Sequence, residues 1–135
     1  LLVEVGRTGA LELRNRLVRS ATAERLADER EVPPPELLSL HVRLARSGVG
    51  LIVLGHMYVS SEGKAHPGMT RIASADSVEP LQNLVEAVHQ EGAVIAVQLN
   101  HAGMKTAADV DRSRAPSEDG PPLADRPAIP LREAE

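Results

Sequence analysis

The sequence predicts an α/β protein with a parallel sheet. Two segments, Gly50-Leu51-Ile52-Val53-Leu54 and Ala93-Val94-Ile95-Ala96-Val97, are continuous apolar runs of the kind found where a strand is buried on both faces. Two others repeat apolar residues at helical spacing: Leu37, Leu40, His41 and Leu44, then Leu81, Leu84, Val85 and Val88. With the shorter run Leu17-Val18 included, the order is strand, helix, strand, helix, strand. Such alternation implies right-handed βαβ units.

The elements follow in order. Gly6 and Gly9 precede the alternating Leu11-Glu12-Leu13, which predicts a short hairpin. Leu17-Val18 begins a strand that ends at Ser20-Ala21-Thr22, and the charged stretch from Ala23 to Val32 reads as a loop. Pro33-Pro34-Pro35 opens the first helix, since proline is tolerated in a first turn, and Ser47-Gly48 stops it. The second strand covers Gly50 to Leu54, with a long polar loop from Gly55 to Ala75. Asp76, with Glu79 three residues on, predicts a capping box for the second helix, which ends at Gly92. The third strand covers Ala93 to Leu99. From Ala107 to Pro130 the composition turns to Pro, Asp, Arg and Ser and predicts a loop, and Leu131 to Glu135 reads as the opening of another helix.

Composition narrows the function classes. The 135 residues suit one small domain, 1–135. A net charge of −4 argues against a general nucleic-acid or anionic-membrane binder. No apolar run approaches the roughly 20 residues of a membrane span. The absence of cysteine excludes disulfides, thiolate metal ligands and cysteine nucleophiles, and fits a cytoplasmic location. Tyr58 is the lone aromatic, so the core is expected to be Leu, Val, Ile and Ala. The chain opens on Leu1 rather than Met, which reads as a fragment or a processed product rather than a complete reading frame.

Gly48 and Gly50 precede a strand, whereas a dinucleotide fingerprint follows one, and no Walker motif is present. A (β/α)8 TIM barrel fits better. A full barrel takes about 250 residues, so the expectation is its N-terminal part: the first three β/α units with an N-terminal hairpin. Parallel strands bring their C-terminal ends to one face. The residues expected there are Ser20, Ala21 and Thr22, then Gly55 and His56, then Gln98, Asn100 and His101. The set is polar and holds no carboxylate, so it suits a neutral, hydrogen-bonding ring better than a metal or a phosphate. Small residues at Ala21, Ala23 and Gly55 would let backbone approach a flat ligand. The Gln98 amide offers both donor and acceptor.

Plainer roles stand beside these. Gln98 could satisfy backbone at a strand end, and His101 could cap a loop. His41 and His89 read as surface or core-edge helix residues, His66 as a turn residue, and Glu24 and Arg25 as a solvated loop. Asn15 and Arg16 read as structural, at the barrel floor. A zinc site from His56, His66 and His101 has no support in their spacing.

From Gly9 to about Glu135 the chain resembles the old yellow enzyme family of FMN-dependent NAD(P)H:flavin oxidoreductases. Four segments carry the likeness. They are Leu11-Glu12-Leu13-Arg14-Asn15-Arg16-Leu17-Val18; Gly48-Val49-Gly50-Leu51-Ile52-Val53 with Val59-Ser60-Ser61-Glu62-Gly63; Ala87-Val88-His89 with Gly92-Ala93; and Gln98-Leu99-Asn100-His101-Ala102-Gly103. Ser20-Ala21-Thr22-Ala23-Glu24 is most similar to a bacterial branch related to dienoyl-CoA reductases. The resemblance implies FMN as cofactor, NADH or NADPH as reductant, and an electron-poor alkene or enone as substrate. It implies that Ser20, Ala21 and Thr22 pass beside the isoalloxazine, mostly through backbone. Gly55 and His56 would line the ring system, and Gln98 would hydrogen-bond its pyrimidine edge. His101 would support the following loop or touch substrate.

The chain also departs from the family. Ala23 stands where many members carry Thr or Cys, Met104 where a basic residue is common, and His56 where the residue is often small. Catalytic residues are expected beyond the C-terminus of this chain, together with the family's basic flavin contact and phosphate loops. Exposed strand edges predict that the isolated chain aggregates or oligomerises and holds FMN poorly; the partners expected are a second copy or the remaining portion of the barrel. Two other classes stay open at this stage: a non-catalytic barrel fragment or interaction remnant, and a metal-dependent barrel enzyme.

Overall fold

The computed structural model describes residues 1–107, 114–116 and 129–130. Strands β1 (Gly6–Thr8) and β2 (Leu11–Leu13) pair antiparallel, with Gly6 opposite Leu13, which is the expected hairpin. Strand β3 (Val18–Arg19), helix α1 (Pro35–Arg46), strand β4 (Leu51–Tyr58), helix α2 (Val78–Gln90) and strand β5 (Val94–Asn100) follow. The three strands form one parallel sheet in the order β3-β4-β5. The short strands β6 (Arg114–Ala115) and β7 (Ile129–Pro130) pair parallel with each other, inside the stretch expected to be loop. The helix expected from Leu131 to Glu135 lies outside the described residues. No described helix is long and apolar enough to cross a membrane.

The core lies between the helices and one face of the sheet. Ile52, Leu54 and Met57 of β4 pack with Leu37 and Ala45 of α1 and with Leu84 and Val88 of α2. Each of the Leu, Ile, Val and Met side chains contributes about 1.5–3 kcal/mol by leaving water. Met57 and Met69, beyond the expected Leu, Val, Ile and Ala, are among the most buried residues. α1 starts where the sequence predicts, with Pro35 in its first turn and the main-chain N–H of Ser47 closing its last turn.

Three boundaries differ from expectation. β4 runs to Tyr58 rather than Leu54, because Tyr58 N–H donates to the Thr70 carbonyl and the Ile72 N–H to the Tyr58 carbonyl, extending the ladder past the apolar run. Asp76 is not the helix cap. Ser77 holds that position without a side-chain capping bond, its hydroxyl donating instead to the Arg71 carbonyl, and Asp76 sits in a 3-10 turn with its N–H donating to Ser74 Oγ. β3 ends at Arg19, so Ser20 to Thr22 continue beyond it without strand pairing.

The N-terminal end of the sheet is fastened by main-chain acceptors. The Arg14 guanidinium donates to the carbonyls of Ala45, Val49 and Glu91, at the ends of both helices. Asn15 Nδ2 donates to the Gly48 carbonyl at 2.6 Å, and its Oδ1 accepts from the Leu17 N–H at 3.0 Å. This is the structural role expected at the barrel floor.

Candidate flavin-edge site at the strand ends

A β-bulge organises the opposite end. Leu54 pairs with Val97 and Met57 with Leu99, so Gly55 and His56 together oppose the single residue Gln98. Gly55 and His56 thus lie inside β4 rather than after it, and Gln98 lies inside β5. Bulges of this kind re-aim side chains and recur beside active sites. The bulge places three expected site residues in one register position.

The Ser20–Thr22 segment reaches the same place. A Cβ on Gly55 would overlap both the Thr22 carbonyl oxygen and Glu24 Oε2. Gly55 therefore serves a close approach from the chain's own loop, where the sequence suggested an approach by ligand. Ser20 and Thr22 are exposed, and Thr22 Oγ1 donates to the Ser20 carbonyl at 3.3 Å. Gln98 is exposed, and no hydrogen bond from its side chain occurs among the described residues. Among the described residues nothing holds its amide back from a ligand edge.

His56 does not stand alone. Its Nε2 lies 2.9 Å from Nε2 of His66, with ring centroids 5.1 Å apart. The His66 Nδ1–H donates to the Pro67 carbonyl, so in the neutral pair the His56 Nε2–H donates to His66. Burial, and repulsion from His66 and Arg25 against the pull of Glu24, hold His56 below the ordinary imidazole value. His66 is thus more than a turn residue. His101 lies elsewhere: its ring covers Gly63, where a Cβ would come within 2.6 Å, and its Nδ1 accepts from the Gly103 N–H. Among the described residues no group of three or more His, Cys, Asp or Glu is placed to hold a metal ion.

Sequence reasoning missed the charged cluster behind the bulge. Glu24 Oε1 lies 2.8 Å from the Arg19 guanidinium and 3.5 Å from His41 Nε2. The sequence predicts a solvated Glu24 and a surface or core-edge His41, yet their side chains are 10% and 0% exposed. Burial pushes the Glu24 carboxyl up, but His41 and Arg19 hold it below its ordinary value. His41 carries the signal that would have found this cluster. A titratable residue four positions from Leu37 on an apolar stripe requires a buried polar partner. A small cavity of about 10 Å³, room for one water, lies between Ala23, Glu24, Gly55, His56, His66 and Met69.

Comparison with known proteins fixes the family. A profile of the NADH:flavin oxidoreductase / NADH oxidase family matches residues 5–128. The chain is 34% identical over 118 residues to the 4,4'-dithiodibutanoate disulfide reductase of Rhodococcus erythropolis, covering 86% of this chain and 29% of that protein. It is 35% identical over 116 residues to the NADH oxidase of Thermoanaerobacter brockii, covering 85% of this chain and 18% of that protein. It superposes on the old yellow enzyme homologue of Zymomonas mobilis with a TM-score of 0.83 and 27% identity, covering 98% of this chain and 40% of the other. The chain thus spans less than a third of the length of these two curated relatives. Its structural relatives are TIM barrels, and the family uses FMN with NAD(P)H as reductant. The α/β fold, the uncharged strand-end residues and these matches together make the chain a member of the NADH:flavin oxidoreductase family, that of the old yellow enzymes.

Proposed function

We propose that residues 1–135 form the first three β/α units, with the N-terminal hairpin, of a flavin-binding (β/α)8 barrel, and that the strand ends take one edge of FMN. The observation that carries this is the bulge, which sets Gly55 and His56 opposite Gln98 and beside the Thr22 carbonyl. The donor set fits the uncharged ring edge of a flavin: an amide, hydroxyls and main chain, with small residues at Ala21 and Ala23. The carboxylate described beside them, Glu24, pairs through Oε1 with Arg19, while its Oε2 rests over Gly55.

Gln98 would donate to and accept from the pyrimidine edge. Ser20, Ala21 and Thr22 would flank the ring through main chain, and Gly55 and His56 would line it. His101 would hold the loop after β5, with substrate contact as a further role. When bound, FMN supplies hydride transfer from NAD(P)H to an electron-poor alkene or enone; the chain's part is to bind and orient it.

The test is the visible absorption of the longest expressible polypeptide containing this chain. Flavin bands at near-stoichiometric occupancy, lost when Gln98→Leu is combined with Thr22→Val, support the assignment. Bands that survive both changes reject it.

A second reading rests on a separate observation. Val18, Val97 and Leu99 are 53%, 37% and 61% exposed on the outer strands of the sheet, an apolar surface that favours a partner. The partner is a second copy or the remaining portion of the barrel, as a non-catalytic interaction remnant would require. Light scattering decides: a monodisperse monomer with a cooperative melt contradicts this reading.

A further inference from the structure

Ser20 to Ala23 form a segment outside the β-ladder, yet the proposed function asks its main chain to meet a rigid ring. One ion pair closes it at both ends. Arg19 stands immediately before the segment and Glu24 immediately after, and their side chains meet at 2.8 Å with 18% and 10% exposure. Each is also tied to another element. A second Arg19 nitrogen donates to the Val53 carbonyl of β4 at 3.0 Å. Glu24 Oε1 faces Nε2 of the fully buried His41, whose Nδ1–H donates to the Leu37 carbonyl at 2.8 Å within α1. Glu24 Oε2 fills the space over Gly55 where any other residue would carry a Cβ. One carboxylate therefore touches β3, α1 and β4 and closes the loop that ends against Gly55.

The geometry points to Glu24 as a positioning residue: paired with Arg19, packed against His41 and seated over Gly55, it holds the Ser20–Ala23 main chain in the shape that receives the flavin edge. This rests on the proposed function for the identity of the ligand, but the clamp itself is a property of the free chain. Buried charges so paired lose much when one partner is removed, and ligand-facing main chain is only as well placed as the groups that lock it.

The experiment uses the full chain with Glu24→Gln, Gly55→Ala and both together. Two readouts are taken: FMN affinity by flavin fluorescence quenching, and NMR order parameters of the Ala21, Thr22 and Ala23 amides without FMN. Each single variant should weaken FMN about tenfold, as loosened positioning does. The double variant should be no weaker than the worse single one, because both act on one loop. The three order parameters should fall from about 0.85 to below about 0.6, while those of β4 and β5 hold. Multiplicative losses overturn the proposal, as do unchanged order parameters at the three amides or a uniform fall across the sheet. If the longest expressible polypeptide containing the unaltered chain binds no FMN, the proposed function fails. The order parameters alone then decide the clamp.

Discussion

The two ends of the parallel sheet each carry an arginine from the N-terminal segment, and they use it differently. At the N-terminal end Arg14 donates, among the described residues, only to main-chain carbonyls, three of them, joining β4's approach to the ends of both helices. At the C-terminal end Arg19 pairs with a carboxylate that also faces a histidine. Asn100 Nδ2, Glu24 Oε1, His41 Nε2 and Arg71 Nε are buried without a well-aligned hydrogen bond, and these too belong to the C-terminal side or the loops over it. Saturated main-chain acceptors make a floor. A carboxylate facing a histidine, and polar atoms without a matched partner, mark the other end, where the proposed site lies.

Removing the floor should produce the largest effect. Arg14→Ala deletes charge-assisted bonds to three carbonyls and should cost about 2–4 kcal/mol of stability, read from urea unfolding. FMN affinity of the folded fraction should not change. A comparable loss of affinity would mean that the two ends are not separable.

Acid should loosen the other end first. The folded His56 value lies below 6.5, so the unfolded chain takes up the proton first. Stability should therefore decline once the pH drops below 6.5 and level off at the folded value. The folded Glu24 value lies below 4.5, so its contribution is complete above 4.5 and disappears as the pH falls through that lower value. Melts from about pH 7 to about pH 3 should show both declines. His56→Asn should remove the upper and Glu24→Gln the lower.

The smallest effect on stability belongs to Gln98→Leu. The side chain is exposed and holds nothing else among the described residues. Unfolding free energy should stay within about 0.5 kcal/mol, and FMN affinity should fall. Destabilisation instead would show that Gln98 serves the strand.

What the sequence made legible follows the same division. The helices and apolar strands are written in period and hydropathy, so α1, α2 and the heart of β4 and β5 fall where the pattern puts them. Gly55 and His56 read as loop because they interrupt the apolar run after Leu54, while the strand carries on through the bulge to the buried Met57 and Tyr58. The site residues were legible as a polar set, but their common register depends on a bulge. Glu24 and His41 are illegible in the sequence because a titratable residue announces water unless its partner is known. Arg19 supplies that partner from five residues away, and His41 comes from a helix.

The most direct test of the central claim is amide chemical-shift mapping of the full chain during FMN titration. Saturable shifts should gather at Ser20–Thr22, Gly55–His56 and Gln98, leaving Arg14, Asn15 and Gly48 still. Shifts centred on the Arg14 end, or spread without saturation over the sheet, would contradict it.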